Sequence, residues 1–137
     1  ATLEKLEQEH ATAASMMQAY CRLLAGWMAK SGFRDGCPIA TTLLESAPQS
    51  AGMALAGREA FHAWRAVIVR ALLRDGFSKA EARRLSTLAV SALEGALILA
   101  RVESSGTPIE DVARSLAVVL RRESVALKAA GRSKSRR

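Results

Sequence analysis

Residues 88–102 read Leu-Ala-Val-Ser-Ala-Leu-Glu-Gly-Ala-Leu-Ile-Leu-Ala-Arg-Val, in which only Ser91, Glu94 and Arg101 are polar. Wound at 100° per residue, Leu85, Leu88, Ala89, Ala92, Ala96 and Leu99 fall on one stripe. Val90, Leu93, Leu97 and Ala100 carry the apolar surface well round from it. A helix that is apolar over most of its circumference has to be covered on several sides. The stretch from Ile109 to Leu120 has the same character, through Val112, Leu116 and Val119. Two such helices in 137 residues predict that a second copy of the chain supplies part of the cover. Ala89, Ala92, Gly95 and Ala96 are small enough for another helix to approach closely. An arginine at Ala96 is accordingly expected to prevent association.

No stretch alternates apolar and polar residues over a strand's length, so the chain reads as all-α, a bundle of about five or six helices. The first helical segment covers about 2–30, with a break near 10–12, and its apolar set includes Met16, Tyr20, Leu24 and Trp27 at 3–4 spacing. Lys30 and Gly32 end it, a cation beside the last carbonyls and then a residue tolerant of positive φ. A short helix over about 38–46 starts on Pro38, whose missing N–H costs nothing in a first turn. A longer one starts near Gly52 or Gly57 and runs to Arg74, with Phe61, Trp64 and Ile68 on its core face. Ser78-Lys-Ala-Glu81 and Thr107-Pro-Ile-Glu110 both match the S/T-x-x-E capping box and mark the starts of the last two helices. The short Ser104-Ser105-Gly106 link makes those two antiparallel.

Most of the net charge of +7 lies at one end of the chain. Lys128, Arg132, Lys134, Arg136 and Arg137 lie in the last ten residues. Without these five the 20 basic residues fall to 15 against 13 acidic, a body of +2. Residues 128–137 therefore read as a basic, solvated, disordered tail. Cys21 and Cys37 have neither metal-ligand spacing nor a disulfide pattern, and read as buried thiols. The longest apolar run, around Gly95 to Ala100, falls far short of the roughly 20 residues that span a bilayer. With no signal peptide in view, the cytoplasm is the expected compartment.

Two E-x-x-H pairs, Glu7–His10 and Glu59–His62, have the spacing that di-iron carboxylate bundles use. The surroundings fit that chemistry poorly. His62 sits about 100° round the helix from Phe61, off the stripe of Trp64 and Ile68, and Glu7 and His10 lie in a charged stretch. No Ser/His/Asp or Cys/His arrangement and no phosphate loop occurs, so no catalytic residue, metal or cofactor is assigned. A di-iron-type enzyme, or an interaction module whose basic tail touches nucleic acid, stands as the alternative. Glu94 is the lone acid in its apolar helix. It must reach water, pair with a cation such as Arg65 or Arg101, accept hydrogen bonds from a partner group such as a neighbouring helix end, or serve as a polar anchor in a cavity. Trp27, Met28, Met53, Phe61 and Trp64 come from separate helices and would line a common chamber or form ordinary core.

Gly36-Cys37-Pro38-Ile39-Ala40-Thr41-Thr42-Leu43-Leu44-Glu45 follows a long helix and precedes one with Phe61-His62-Ala63-Trp64. Then come Leu93-Glu94-Gly95-Ala96-Leu97 and Thr107-Pro108-Ile109. In order and spacing this resembles the C-terminal regulatory half of TetR-family transcriptional regulators of the multidrug-responsive kind. The resemblance implies residues 1–12 as the end of a linking helix, and 13–127 as a ligand-binding and dimerisation domain that pairs as a four-helix bundle. It also implies an N-terminal helix-turn-helix, outside this sequence, that contacts operator DNA. A small apolar effector would lie among Met16, Tyr20, Trp27, Leu43, Phe61, Trp64, Ile68, Leu93 and Leu97. Thr42, Arg65 and Glu94, with Tyr20, would orient it. The homodimer would use Leu85, Leu88, Ala89, Ala92, Ala96, Leu99, Val112, Leu116, Val119 and Leu120.

Overall fold

The computed structural model describes residues 2–46 and 49–134, with side chains as far as Arg121. Among the described residues six helices make up an all-α bundle: α1 (Thr2–Glu9), α2 (Ala13–Lys30), α3 (Pro38–Ser46), α4 (Ala51–Arg74), α5 (Lys79–Glu103) and α6 (Thr107–Lys134). The expected break at 10–12 separates α1 from α2. Thr12 caps α2, its hydroxyl accepting from the Ser15 amide at 3.1 Å. Ser78 and Glu81 exchange both capping-box bonds at the start of α5. Gly32 at φ +62° and Gly76 at φ +94° occupy the left-handed turns after α2 and α4, where a side chain would be strained.

The start of α6 departs from the expected box. Thr107 is already inside the helix, Ser105 Oγ accepts from its amide, and the Glu110 amide bonds the Gly106 carbonyl. The small link thus provides the cap that the Thr107–Glu110 spacing suggested. Helix α6 also continues through Lys134, so much of the tail that read as disordered is helical. The basic side chains there, and residues 135–137, lie outside what the structure describes.

Helix α2 packs against α6, α4 against α5, and α5 against α6, while α3 touches α4 alone with more than a marginal contact. The core is built where these meet: Met16, Met17, Ile68, Leu72, Leu85 and Ile109 are wholly buried. Alanines at 13, 71, 82, 89, 100 and 117 allow the close approaches, each without exposed surface. By length and composition α5 has the character of a membrane-crossing helix. Its place in the bundle supplies the ordinary cause: Leu85, Ala89, Leu93, Ala96 and Ala100 are core.

A polar joint ties α1 to the end of α4, across more than sixty residues of sequence. Arg70 holds Glu7 with two bonds, at 3.2 and 2.6 Å. Arg74 donates to the carbonyls of Glu7 and His10, which the end of α1 leaves free. Asp75 Oδ2 accepts from the Ala13 amide at 2.8 Å, satisfying one of the open donors of α2.

Candidate functional site

A cavity of about 340 Å3 opens between α2, α4 and α5. It is bounded by Leu3 of α1 and by the turn 35–38 that leads into α3. Tyr20, Leu24, Trp27 and Met28 project from one face of α2, as i, i+4, i+7 and i+8 spacing requires. Trp64 and Ile68 are successive turns of α4. Val90, Leu93, Glu94 and Leu97 are the matching face of α5. Trp27 stands at the mouth, 47% exposed. Trp64 is braced from behind by Phe61, edge to face, with ring centroids 5.5 Å apart.

Of the residues expected around an effector, Tyr20, Trp27, Trp64, Ile68, Leu93, Glu94 and Leu97 meet on this wall. The others lie elsewhere. Met16 is deep in the core, and Phe61 acts only through Trp64. Arg65 is off the wall, its Nε buried without a hydrogen-bond partner among the described residues. Thr42 and Leu43 line a separate hollow between α3 and the first half of α4. There α3 lies so close that a Cβ on Gly57 would sit 2.2 Å from Leu43 Cδ2. Leu3, Leu24, Asp35, Cys37 and Val90 were not anticipated. Leu24 and Val90 share helical faces with Tyr20 and Leu93, a legible signal; Leu3 and Cys37 are brought in by tertiary folding alone.

Every ionisable group on the wall is an acid or a weaker neutral one: Tyr20, Asp35, Cys37 and Glu94. Burial pushes the Tyr20 hydroxyl up to about 12, assisted by nearby Cys37 and Glu94. Burial also raises the thiols of Cys37 and Cys21 to about 11, so both are neutral and poor nucleophiles at physiological pH. Glu94 is half-buried, and desolvation raises its carboxyl above the usual range. The Cys37 thiol, donating to the carboxylate, opposes that rise in part. Neither Arg65 nor Arg101 pairs with Glu94, and no described cation lies within ion-pair distance of it.

That arrangement makes stability depend on pH. A carboxyl raised by burial contributes stability that is fully present below its unfolded pKa and is lost as pH rises through the folded value. Replacing it by Glu94→Gln is therefore expected to raise the melting temperature at pH 7.5. The gain should vanish below about pH 4.3, the ordinary glutamate value, where the carboxyl is neutral in both states. An equal shift at both pH values would show that charge burial is not the cause.

Residues 13–115 match the family described as transcriptional regulator LmrA/YxaF-like, C-terminal domain. This chain belongs to the TetR family. Rv0196 of Mycobacterium tuberculosis, named an uncharacterized HTH-type transcriptional regulator, is 35% identical over 89 residues. That alignment covers 61% of this chain and 46% of the relative. YxaF of Bacillus subtilis, which carries the same description, is 31% identical over 88 residues, 64% of this chain and 46% of its own length. The chain thus spans just under half the length of the curated relatives it matches.

In this TetR-family domain the residues expected at a dimer interface separate into two sets. Leu85, Ala89, Ala96, Leu116 and Leu120 are buried within the single chain, against its own helices. Within the single chain they leave almost no surface open. Ala92, Val112 and Val119 are half-buried. Leu88 and Leu99 are exposed, at 46% and 51%, and with Ile98 and Val102 they form an apolar ridge along α5 that the chain leaves open. Glu7 of the first E-x-x-H pair is taken up by Arg70 and Arg74. Among the described residues no group of three or more His, Cys, Asp or Glu is placed to hold a metal ion.

Proposed function

We propose that this domain is the effector-binding and dimerising half of a cytoplasmic transcriptional regulator, without catalytic activity of its own. A small lipophilic molecule occupies the cavity between α2, α4 and α5. The DNA contact belongs to a helix-turn-helix elsewhere in the full-length protein, as the names of the relatives suggest. The single observation that carries this reading is the cavity's wall: it includes Leu3 of α1 as well as Trp64 and Ile68 of α4.

Helix α4 therefore touches the ligand space at Trp64 and Ile68, and within the next two turns grips α1 through Arg70 and Arg74. A ligand that fits one relative position of α1 and α4 better than another shifts the population toward it, by no more than its differential affinity. Dimerisation uses the open ridge Leu88, Ile98, Leu99 and Val102. A permanent two-fold contact of this kind buries upwards of about 2,000 Å2, so α6 has to contribute as well, and Val118 is an exposed apolar residue on it.

A thermal-shift screen with lipophilic, drug-like compounds tests the cavity. A true effector present at a hundred times its Kd is expected to add about 2.7 kcal/mol of stability, a rise of several degrees. If no compound in a broad panel raises the melting temperature, the domain is a dimerisation module and the effector reading fails.

A further inference from the structure

The cavity combines three features that together specify the charge of its occupant. Its walls are apolar and aromatic, with the rings of Tyr20, Trp27 and Trp64 on two of its sides. A carboxyl group, Glu94, stands in the wall with no cationic partner among the described residues. And although the chain carries a net +7, no lysine, arginine or histidine lines this space, while a second acid, Asp35, lies at its exposed edge.

We propose that the occupant is a lipophilic cation: an aromatic or alicyclic body carrying one protonated or quaternary nitrogen, seated with the nitrogen toward Glu94. This assignment rests on the effector reading above and deepens it. An anion would meet two carboxylates and no compensating donor of positive charge. A neutral apolar molecule would strip more water from Glu94 and leave the carboxylate's charge uncompensated, the costliest arrangement for a buried ion. A cationic nitrogen replaces that lost hydration directly. The aromatic rings of Trp27 and Trp64 in the lining offer cation–π attraction that a neutral body of the same shape does not receive. Tyr20 and Cys37, both held neutral, serve as short-range hydrogen-bonding groups beside the carboxylate and do not compete for the positive charge.

The experiment uses three probes with one aromatic body and different charge: 2-(1-naphthyl)ethylammonium, 2-(1-naphthyl)ethanol and 1-naphthylacetate. Isothermal titration calorimetry on the present chain at pH 7 measures each. The ammonium is expected to bind roughly tenfold or more tighter than the alcohol, as a desolvated cation–carboxylate contact with aromatic support provides, and the acetate weaker than both. In Glu94→Gln, whose helical content by circular dichroism checks that it is folded, the ammonium should fall to the level of the alcohol. The alcohol measured on the same variant reports whether the cavity is intact.

Equal binding of ammonium and alcohol to the unmodified protein, or tighter binding of the acetate, overturns the charge assignment while leaving an apolar effector site standing. An ammonium preference that survives Glu94→Gln also overturns it, since the carboxylate would then not be the anchor. Failure of all three to bind at millimolar concentration counts against the effector site itself, and the assignment falls with it.

Discussion

Leu99→Arg is expected to turn the protein from a dimer into a folded monomer. Leu99 is half open to water in the isolated chain and lies in line with Leu88 and Val102 on the ridge of α5, next to Ile98. Arginine there costs the single chain almost nothing, because its long side chain reaches solvent. In a two-fold assembly the same substitution enters the interface twice, once from each protomer. Each guanidinium would be desolvated against an apolar ridge with no carboxylate opposite among Leu88, Ile98 and Val102. Leaving one such charge unpaired costs about 3–5 kcal/mol, enough to weaken association by a hundredfold or more. Sedimentation velocity at micromolar concentration should show the change in mass, with helical content and melting behaviour of a folded monomer. A variant that remains dimeric places the interface elsewhere. An unmodified protein that sediments as a monomer at the same concentration removes the dimer reading altogether.

The register of that ridge is the part of the molecule that the sequence conveyed least well, and the reason is physical. Most local chemistry was legible: Pro38 starts α3, Ser78 and Glu81 cap α5, and Gly32 ends α2, while at α6 the cap came from Ser105 and Gly106 instead of the Thr107–Glu110 box. These depend on a few adjacent residues. The apolar circumference of α5 was legible as an excess of apolar surface, but not by direction. Leu88 and Ala89 are neighbours 100° apart on the helix, equally apolar, and only the packing of α4 and α6 decides that Ala89 faces inward and Leu88 outward. The cavity shows the same division. Tyr20, Trp27 and Trp64 were readable from helical spacing and amphipathic chemistry. Leu3 and Cys37 reach it because separate segments fold together, and the bond from Arg70 to Glu7 spans 63 positions. No periodicity within one helix encodes such a contact.

Ala96→Arg provides the complementary test, three residues from Leu99 and with the opposite outcome: loss of the fold itself. Ala96 is 2% exposed and sits in the same buried row as Ala89 and Ala100, both without exposed surface. The core also includes Ile109, Leu116 and Ala117 of α6, the helix packed on α5. Small side chains in a packed core let helices approach closely, so a long one forces them apart, and overpacking of this kind alone costs about 1–3 kcal/mol. The guanidinium adds an unpaired charge in an apolar setting, several kcal/mol more. The sum is comparable to the whole stability of a domain, roughly 5–15 kcal/mol. The variant is expected to be insoluble, or to show a melting transition lowered by well over ten degrees in circular dichroism, whether or not it associates. If Ala96→Arg instead melts with the unmodified protein, Ala96 cannot face the core. The inward and outward sides of α5 would then be exchanged, and with them the position of Glu94 in the cavity wall.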